Sequence, residues 1–268
     1  MNTFRYVCKN LYNVKIILAF LIIGIWSFLC AKDYVTGALM MGNSLNVLET
    51  SIYLLSNKSI SAFLFVLCYI FAFSDIPFED GILPYYVCRR GFFKWTINIF
   101  LFVIFISFIF VLLPIIVSVF VCSKEGFLSF SIWSQSARLS ANGGAPQLSF
   151  MPELTMNFLS YTPIKVLLFS SFLTLLHNVL IALLLLFFNC ISKKLWGITV
   201  VTIVEASGFM LSLVNLKIAK YFPFMKASFS SVAGFKNSLL FFTILIVILC
   251  IVIFKIIRKY KFESGEAK

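Results

Sequence analysis

The sequence predicts an all-α fold, a polytopic integral membrane protein with six transmembrane helices and both termini cytoplasmic, in a single transmembrane domain over residues 1–268. Composition is the first of the observations behind it: 61% of the 268 residues are hydrophobic and only 12% are charged. A mean hydropathy of +1.03 lies well outside the range of soluble domains. The second is the recurrence of long apolar runs, which leaves no room for a separate soluble domain. The third is the position of the basic residues, which hug the ends of those runs.

A span needs about 20 apolar residues, or about 17 where tilt and headgroup anchors help. Six segments meet that: 14–34, 57–73, 96–122, 164–188, 196–216 and 238–254. The third contains Pro114 and a few small polar residues, and the fifth carries Glu205, which a lipid-facing helix would expel. Arg5, Lys9 and Lys15 before the first run resemble the start of a signal peptide. Cys30-Ala31-Lys32-Asp33 is a poor cleavage site, however, so the expectation is an uncleaved first span.

An even number of spans puts both ends on one side, and lysine and arginine decide which. With the N-terminus inside, Arg5, Lys9, Lys15, Arg89, Arg90, Lys94, Lys193, Lys194, Lys255, Arg258, Lys259, Lys261 and Lys268 all fall in short inner segments. The remaining basic residues are diluted over outer loops of about 22, 41 and 21 residues, the arrangement that the positive-inside rule favours. The same rule and anionic headgroups account for the net charge of +12, so no nucleic-acid partner is expected and membrane lipids are. The seven cysteines show no metal spacing and read as small hydrophobes without disulfides.

The outer loop 123–163 holds ANGGAPQ at 141–147, a turn signature. The plainer reading of the loop is a cap and the sharper one a substrate gate; within it FLSFSIWS at 127–134 could lie as a helix in the headgroup plane. The outer stretch 217–237 mixes Lys217, Lys220, Lys226 and Lys236 with aromatic residues and reads as an interfacial segment.

Two local features bear on function. Residues 74–95, SDIPFEDGILPYYVCRRGFFKW, carry Asp75, Glu79 and Asp80 first and Arg89, Arg90 and Lys94 last, with Ile82, Leu83 and Tyr86 between. Acidic residues at the start of a short helix and basic ones near its end suit the helix dipole. The apolar middle suits the inner leaflet or a groove on a partner. The plainer reading is a positive-inside anchor with Trp95 at the interface. Within the spans, His177, Asn178 and Glu205 are the polar residues that need an explanation. At 1.5 Å per residue, His177 lies about 16 Å from Phe188 and Glu205 about 13 Å from Trp196, so the two reach similar depth on consecutive helices. Such a pair glues helices together or, more sharply, serves a proton or a substrate.

Enzyme chemistry has little support. The sequence lacks a Walker Gly-Lys-Ser/Thr and HExxH, and one histidine excludes a multi-histidine metal site. Ser170 and Ser171 precede His177 by about two turns, but no nucleophile elbow marks a hydrolase. No catalytic residue, metal ligand or cofactor is assigned.

The whole-chain layout resembles the membrane-spanning permease subunit of a bacterial type-two ABC exporter. The likeness rests on six spans after a basic N-terminus, on the acidic-to-basic inner segment with Arg89-Arg90-Gly91 and Lys94-Trp95 leading into span three, and on a polar outer stretch before span six. The resemblance implies a bacterial cytoplasmic membrane, a separate cytoplasmic ATPase, and a second permease subunit completing the path for a hydrophobic or amphipathic substrate such as a peptide, lipid or drug. ATPase contact would fall on Arg5 to Lys15 and on Asp75 to Lys94. The family also has a compact re-entrant hairpin before its last span, which 217–237 matches poorly. The alternative is a membrane-embedded immunity or peptide-binding protein that needs no ATPase.

Overall fold

The computed structural model describes residues 13–40, 44–56, 64–76, 92–141, 159–191, 194–214, 217–227 and 234–266. All its regular elements are helical: α1 (Val14–Met40), α2 (Val47–Ser56), α3 (Val66–Phe73), α4 (Phe92–Cys122), α5 (Gln135–Ala141), α6 (Pro163–Ile191), α7 (Lys194–Leu213), a 3₁₀ turn η1 (Lys217–Tyr221), α8 (Pro223–Ala227) and α9 (Phe235–Glu266). Five of them, α1, α4, α6, α7 and α9, are long and apolar enough to cross a membrane. In lipid a helix satisfies every backbone group internally, which is why uninterrupted apolar runs become helices here. Pro114 sits inside α4 without ending it; the missing amide costs one hydrogen bond in a helix otherwise continuous for 31 residues.

The segment predicted to span at 57–73 has a different form. Residues 57–63 lie outside the described residues; Val66–Phe73 is helical, and a separate ten-residue helix, α2, precedes it. Both pack on α4, in antiparallel register. Ser51 bonds Ser118 at 2.6 Å and the Cys122 thiol donates to Thr50, whereas Tyr69 bonds Ser107 at 2.6 Å and Phe73 meets Phe102 edge to face. Thus α2 covers the far end of α4 and α3 its near end.

α6 is the hub. On one side α1 packs against α2, α3 and α4, and α2, α3 and α4 also touch α6; on the other, α7, α8 and α9 rest on α6, and α7 also reaches α3. Chain direction alternates. Lys15, Ile76, Phe93, Asn189 and Phe254 gather at one end, as the contacts Lys15–Asp75, Asn189–Ile76 and Phe93–Phe254 require. The opposite end holds Glu49, Cys122 and Ser134. The bundle thus has a Lys15 end and a Glu49 end.

The outer-loop expectation at 127–134 is corrected. That stretch is bent and extended, with Phe127 exchanging backbone bonds with Leu45 and Val47. Helix forms only after it, in α5, because Asn46 donates its side-chain amide to the Ser129 and Ile132 carbonyls and so holds the stretch open. Residues 217–227 double back on α7: Phe222 lies against Gly208, where a Cβ would come within 3.0 Å of the Phe222 Cβ and close to its ring, and buried Phe224 meets Phe209.

Candidate functional site

Polar side chains buried among these helices fall into three groups, at the Lys15 end, midway, and at the Glu49 end.

At the Lys15 end, the first turn of α1 is fastened to the end of α3. Lys15 Nζ lies 2.7 Å from the Asp75 carboxylate and donates to Ser74 Oγ at 2.9 Å. Both charged groups are about one-third exposed, so solvent screens the pair and its worth is about 0–1 kcal/mol; its value is positional. The carbonyls that α3 leaves unpaired are taken by α6, since Asn189 Nδ2 donates to Ser74 O at 3.2 Å and to Ile76 O at 2.7 Å. Gly197 of α7 lies on the other side of the same amide. A Cβ there would overlap Asn189 Oδ1 and stand 2.9 Å from its Cγ and 3.3 Å from the Leu185 carbonyl. One asparagine therefore joins three helices, and only glycine lets α7 approach it.

Midway, His177 Nε2 stands 3.2 Å from each carboxylate oxygen of Glu205. Both side chains are buried, at 3% and 5% exposure, and the edge of the site is closed by Phe242 of α9, 6.0 Å from the imidazole. Nε2 thus meets both carboxylate oxygens equally, with the donor set by the imidazole tautomer. The arrangement gives a partner to a carboxylate that lipid would otherwise expel. Asn178, the next residue of α6, is buried as well.

At the Glu49 end lies a cluster that the hydropathy reading leaves in a loop. Asn46 caps α2, its Oδ1 accepting from the Leu48 amide at 3.1 Å. Glu49, three residues on, also hydrogen-bonds the Asn46 backbone, the reciprocal capping box. The same carboxylate reaches a second helix start. Ser134 donates its backbone N–H and its hydroxyl to the two Glu49 oxygens, both at 2.6 Å, while Ser134 Oγ accepts from Ala137 N and so caps α5. The third helical position of α5 is Ala137, which has no carboxylate; Glu49 supplies it from α2. Glu49 is fully buried. Burial pushes its carboxyl up to about 7, against the bonds from Ser134 and Asn46 that pull it down.

Of the residues read as partner-docking, Asp75 is paired with Lys15, Lys94 is exposed on the first turns of α4, and Glu79, Asp80, Ile82, Leu83, Tyr86, Arg89 and Arg90 lie outside the described residues. No protein-family model, curated protein or solved structure matches the chain.

Proposed function

We propose that this chain crosses a bacterial cytoplasmic membrane six times, with both termini inside, as the permease subunit of an ABC-type exporter. Its substrate is hydrophobic or amphipathic, a separate ATPase supplies the energy, and a second permease subunit completes the path. The observation that carries this reading is the Lys15–Asp75 contact at 2.7 Å. The resemblance assigns ATPase contact to two stretches far apart in sequence, Arg5 to Lys15 and Asp75 to Lys94, and that contact joins the end of the first to the start of the second. A partner seated at the Lys15 end would meet the point where the two are joined.

Two further observations support it. The register of Ser51 on Ser118, Tyr69 on Ser107 and Phe73 on Phe102 follows α4 for 16 residues, about 24 Å at helical rise. That length supports a second of six crossings, with α2 and α3 as its described pieces. The fold-back of η1 and α8 onto α7 stands where the family has its hairpin, although the sequence of 217–237 matches that hairpin poorly.

The test is recovery of the partner. The full-length tagged chain, extracted in mild detergents, is expected to co-purify with a Walker-type ATPase and its nucleotide hydrolysis. Reversing Arg89 and Arg90 to Glu should abolish that recovery by lost pairing and new repulsion. Lysine at both positions should weaken it less, since charge stays and only the rigid fork of donors goes. Failure of the wild-type, correctly folded chain to bring down an ATPase in any of several detergents would overturn the reading and favour the ATPase-independent immunity or peptide-binding alternative.

A further inference from the structure

We infer that the Glu49 end of the bundle is closed by a proton-sensitive cap: segment 127–138 is clamped over α2 while Glu49 carries a proton, and loosens when Glu49 ionises.

The geometry that leads there is the set of bonds holding the segment down. Val47 N donates to Phe127 O and Phe127 N to Leu45 O; Asn46 Nδ2 donates to the Ser129 and Ile132 carbonyls; Trp133 Nε1 donates to Tyr161 O at 2.7 Å; and Ser136 Oγ donates to Ser44 O. All of these are bonds between neutral amide, indole, hydroxyl and carbonyl groups, indifferent to pH. The two bonds from Ser134 are different, because their acceptor is a carboxylate with no access to water. Among the described residues no cation pairs with it.

Its ionisable surroundings are sparse on every side. α1 brings Tyr34, its own helix Tyr53, and α4 the Cys122 thiol, which is engaged with Thr50. The charged residues nearby in sequence on the packed elements, Lys32 and Asp33 on α1, Lys124 and Glu125 after α4, Arg138 on α5 and Lys165 on α6, are exposed. The compensation that the described residues give an ionised Glu49 is three hydrogen bonds and two helix starts, with no cation among them. When the proton is on, the carboxyl O–H is a donor and Ser134 Oγ an available acceptor, so the contact survives with its direction reversed.

The sign follows from linkage. With the cap closed the carboxyl is pushed up to about 7, and with the cap open and water admitted it returns toward its ordinary 4.5. The closed form holds its proton more tightly, so acid favours closure and stability is lost as pH rises from the lower value through the higher. The ratio of closed to open should fall by on the order of a hundredfold across that window.

Cysteine accessibility measures this directly. In the full chain with native cysteines replaced, Ala137, which is buried in α5, and Arg138, which is exposed beside it, are changed singly to Cys and labelled with an impermeant thiol reagent. The ratio of the two rates cancels the reagent's own pH dependence. It should rise at least tenfold between about pH 5 and about pH 8. Glu49→Gln, neutral at every pH, should stay flat and near the acid wild-type value. Ser134→Ala removes a bond that favours the ionised form, so its midpoint should move to higher pH. A flat wild-type ratio, a ratio rising toward acid, or an unchanged dependence in Glu49→Gln would each overturn the cap. If Glu49→Gln does not yield a monodisperse helical protein, the Ser134→Ala midpoint decides: an upward move supports the inference, and none or a downward one refutes it.

Discussion

Adding one methyl group at Gly197 should disconnect three helices. The Cβ of Gly197→Ala would overlap Asn189 Oδ1, and the amide cannot retreat without giving up its bonds to Ser74 O and Ile76 O. Each carbonyl left unpaired in a buried setting costs about 1–3 kcal/mol, while replacing glycine by alanine inside a helix returns about 0.5–1 kcal/mol. With two such carbonyls, the net loss is about 1–5 kcal/mol. Asn189→Ala loses the same two bonds directly and leaves a space into which a methyl group at position 197 fits. In that background Gly197→Ala should cost nothing or stabilise slightly, so the double variant is no worse than Asn189→Ala. The assay is a double-mutant cycle on unfolding free energy in mixed micelles, with helix content and monodispersity checked for each variant. Equal cost of Gly197→Ala in both backgrounds, or a cost below about 0.5 kcal/mol in the wild type, would refute the three-helix junction.

Other perturbations read other parts of the bundle. Losing His177, Glu205 or both should cost similar amounts, with a coupling of about 0.6–2 kcal/mol in a membrane setting; a cycle giving additive costs would separate the pair. Tyr69→Phe removes the bond to Ser107, whose hydroxyl keeps its bond to the Val103 carbonyl. The expected loss is therefore only about 1 kcal/mol, and a loss above about 3 kcal/mol would mean that Tyr69 does more than pin α3 to α4. Single cysteines at Lys124 and Lys94, at opposite ends of α4, should react with an impermeant reagent from outside at Lys124 only; reaction at Lys94 alone would reverse the orientation.

Hydropathy makes most of the helices legible, because a run of apolar residues has one stable form in lipid. The α2–α3 pair is less so. Residues 47–56 include Glu49, Thr50 and Ser51, whose polarity reads as loop. Their polar atoms face Ser134, Cys122 and Ser118, partners brought near by folding alone. A sequence signal does exist: Asn46 followed at the third residue by Glu49, ahead of an apolar run, is a capping box. The joining of His177 and Glu205 can be anticipated from depth alone, since rise per residue is constant. Asn189 and Gly197 carry no such mark. Both sit near helix ends in sequence, where an asparagine or glycine usually signals termination, and here each is used inside a helix for contact with another.

The distribution of polar ties says which helices move together. In a bilayer, apolar surface gains little by leaving lipid, so close packing and hydrogen bonds hold helices in register. α6 bonds α3 through Asn189 and α7 through His177 and Glu205, and α3 is pinned in turn to α4 by Tyr69 and to α1 by Lys15. α9 meets α6 through aromatic rings: Phe235 stacks on Phe169, and Phe242 faces His177. Stacked rings can shift past one another without leaving a buried donor or acceptor unpaired, which the polar ties cannot do. A push delivered at the Lys15 end is thus carried by Asn189 into α3 and α7 at once. If a partner drives this protein from that end, the seam between α6 and α9 is where the bundle can open without breaking any of these polar ties. A disulfide across that seam, joining cysteines at Leu173 and Phe242, which share a buried cluster, should leave partner recovery intact while stopping coupled hydrolysis. Undiminished coupled hydrolysis in the fully crosslinked protein would show that the opening lies elsewhere.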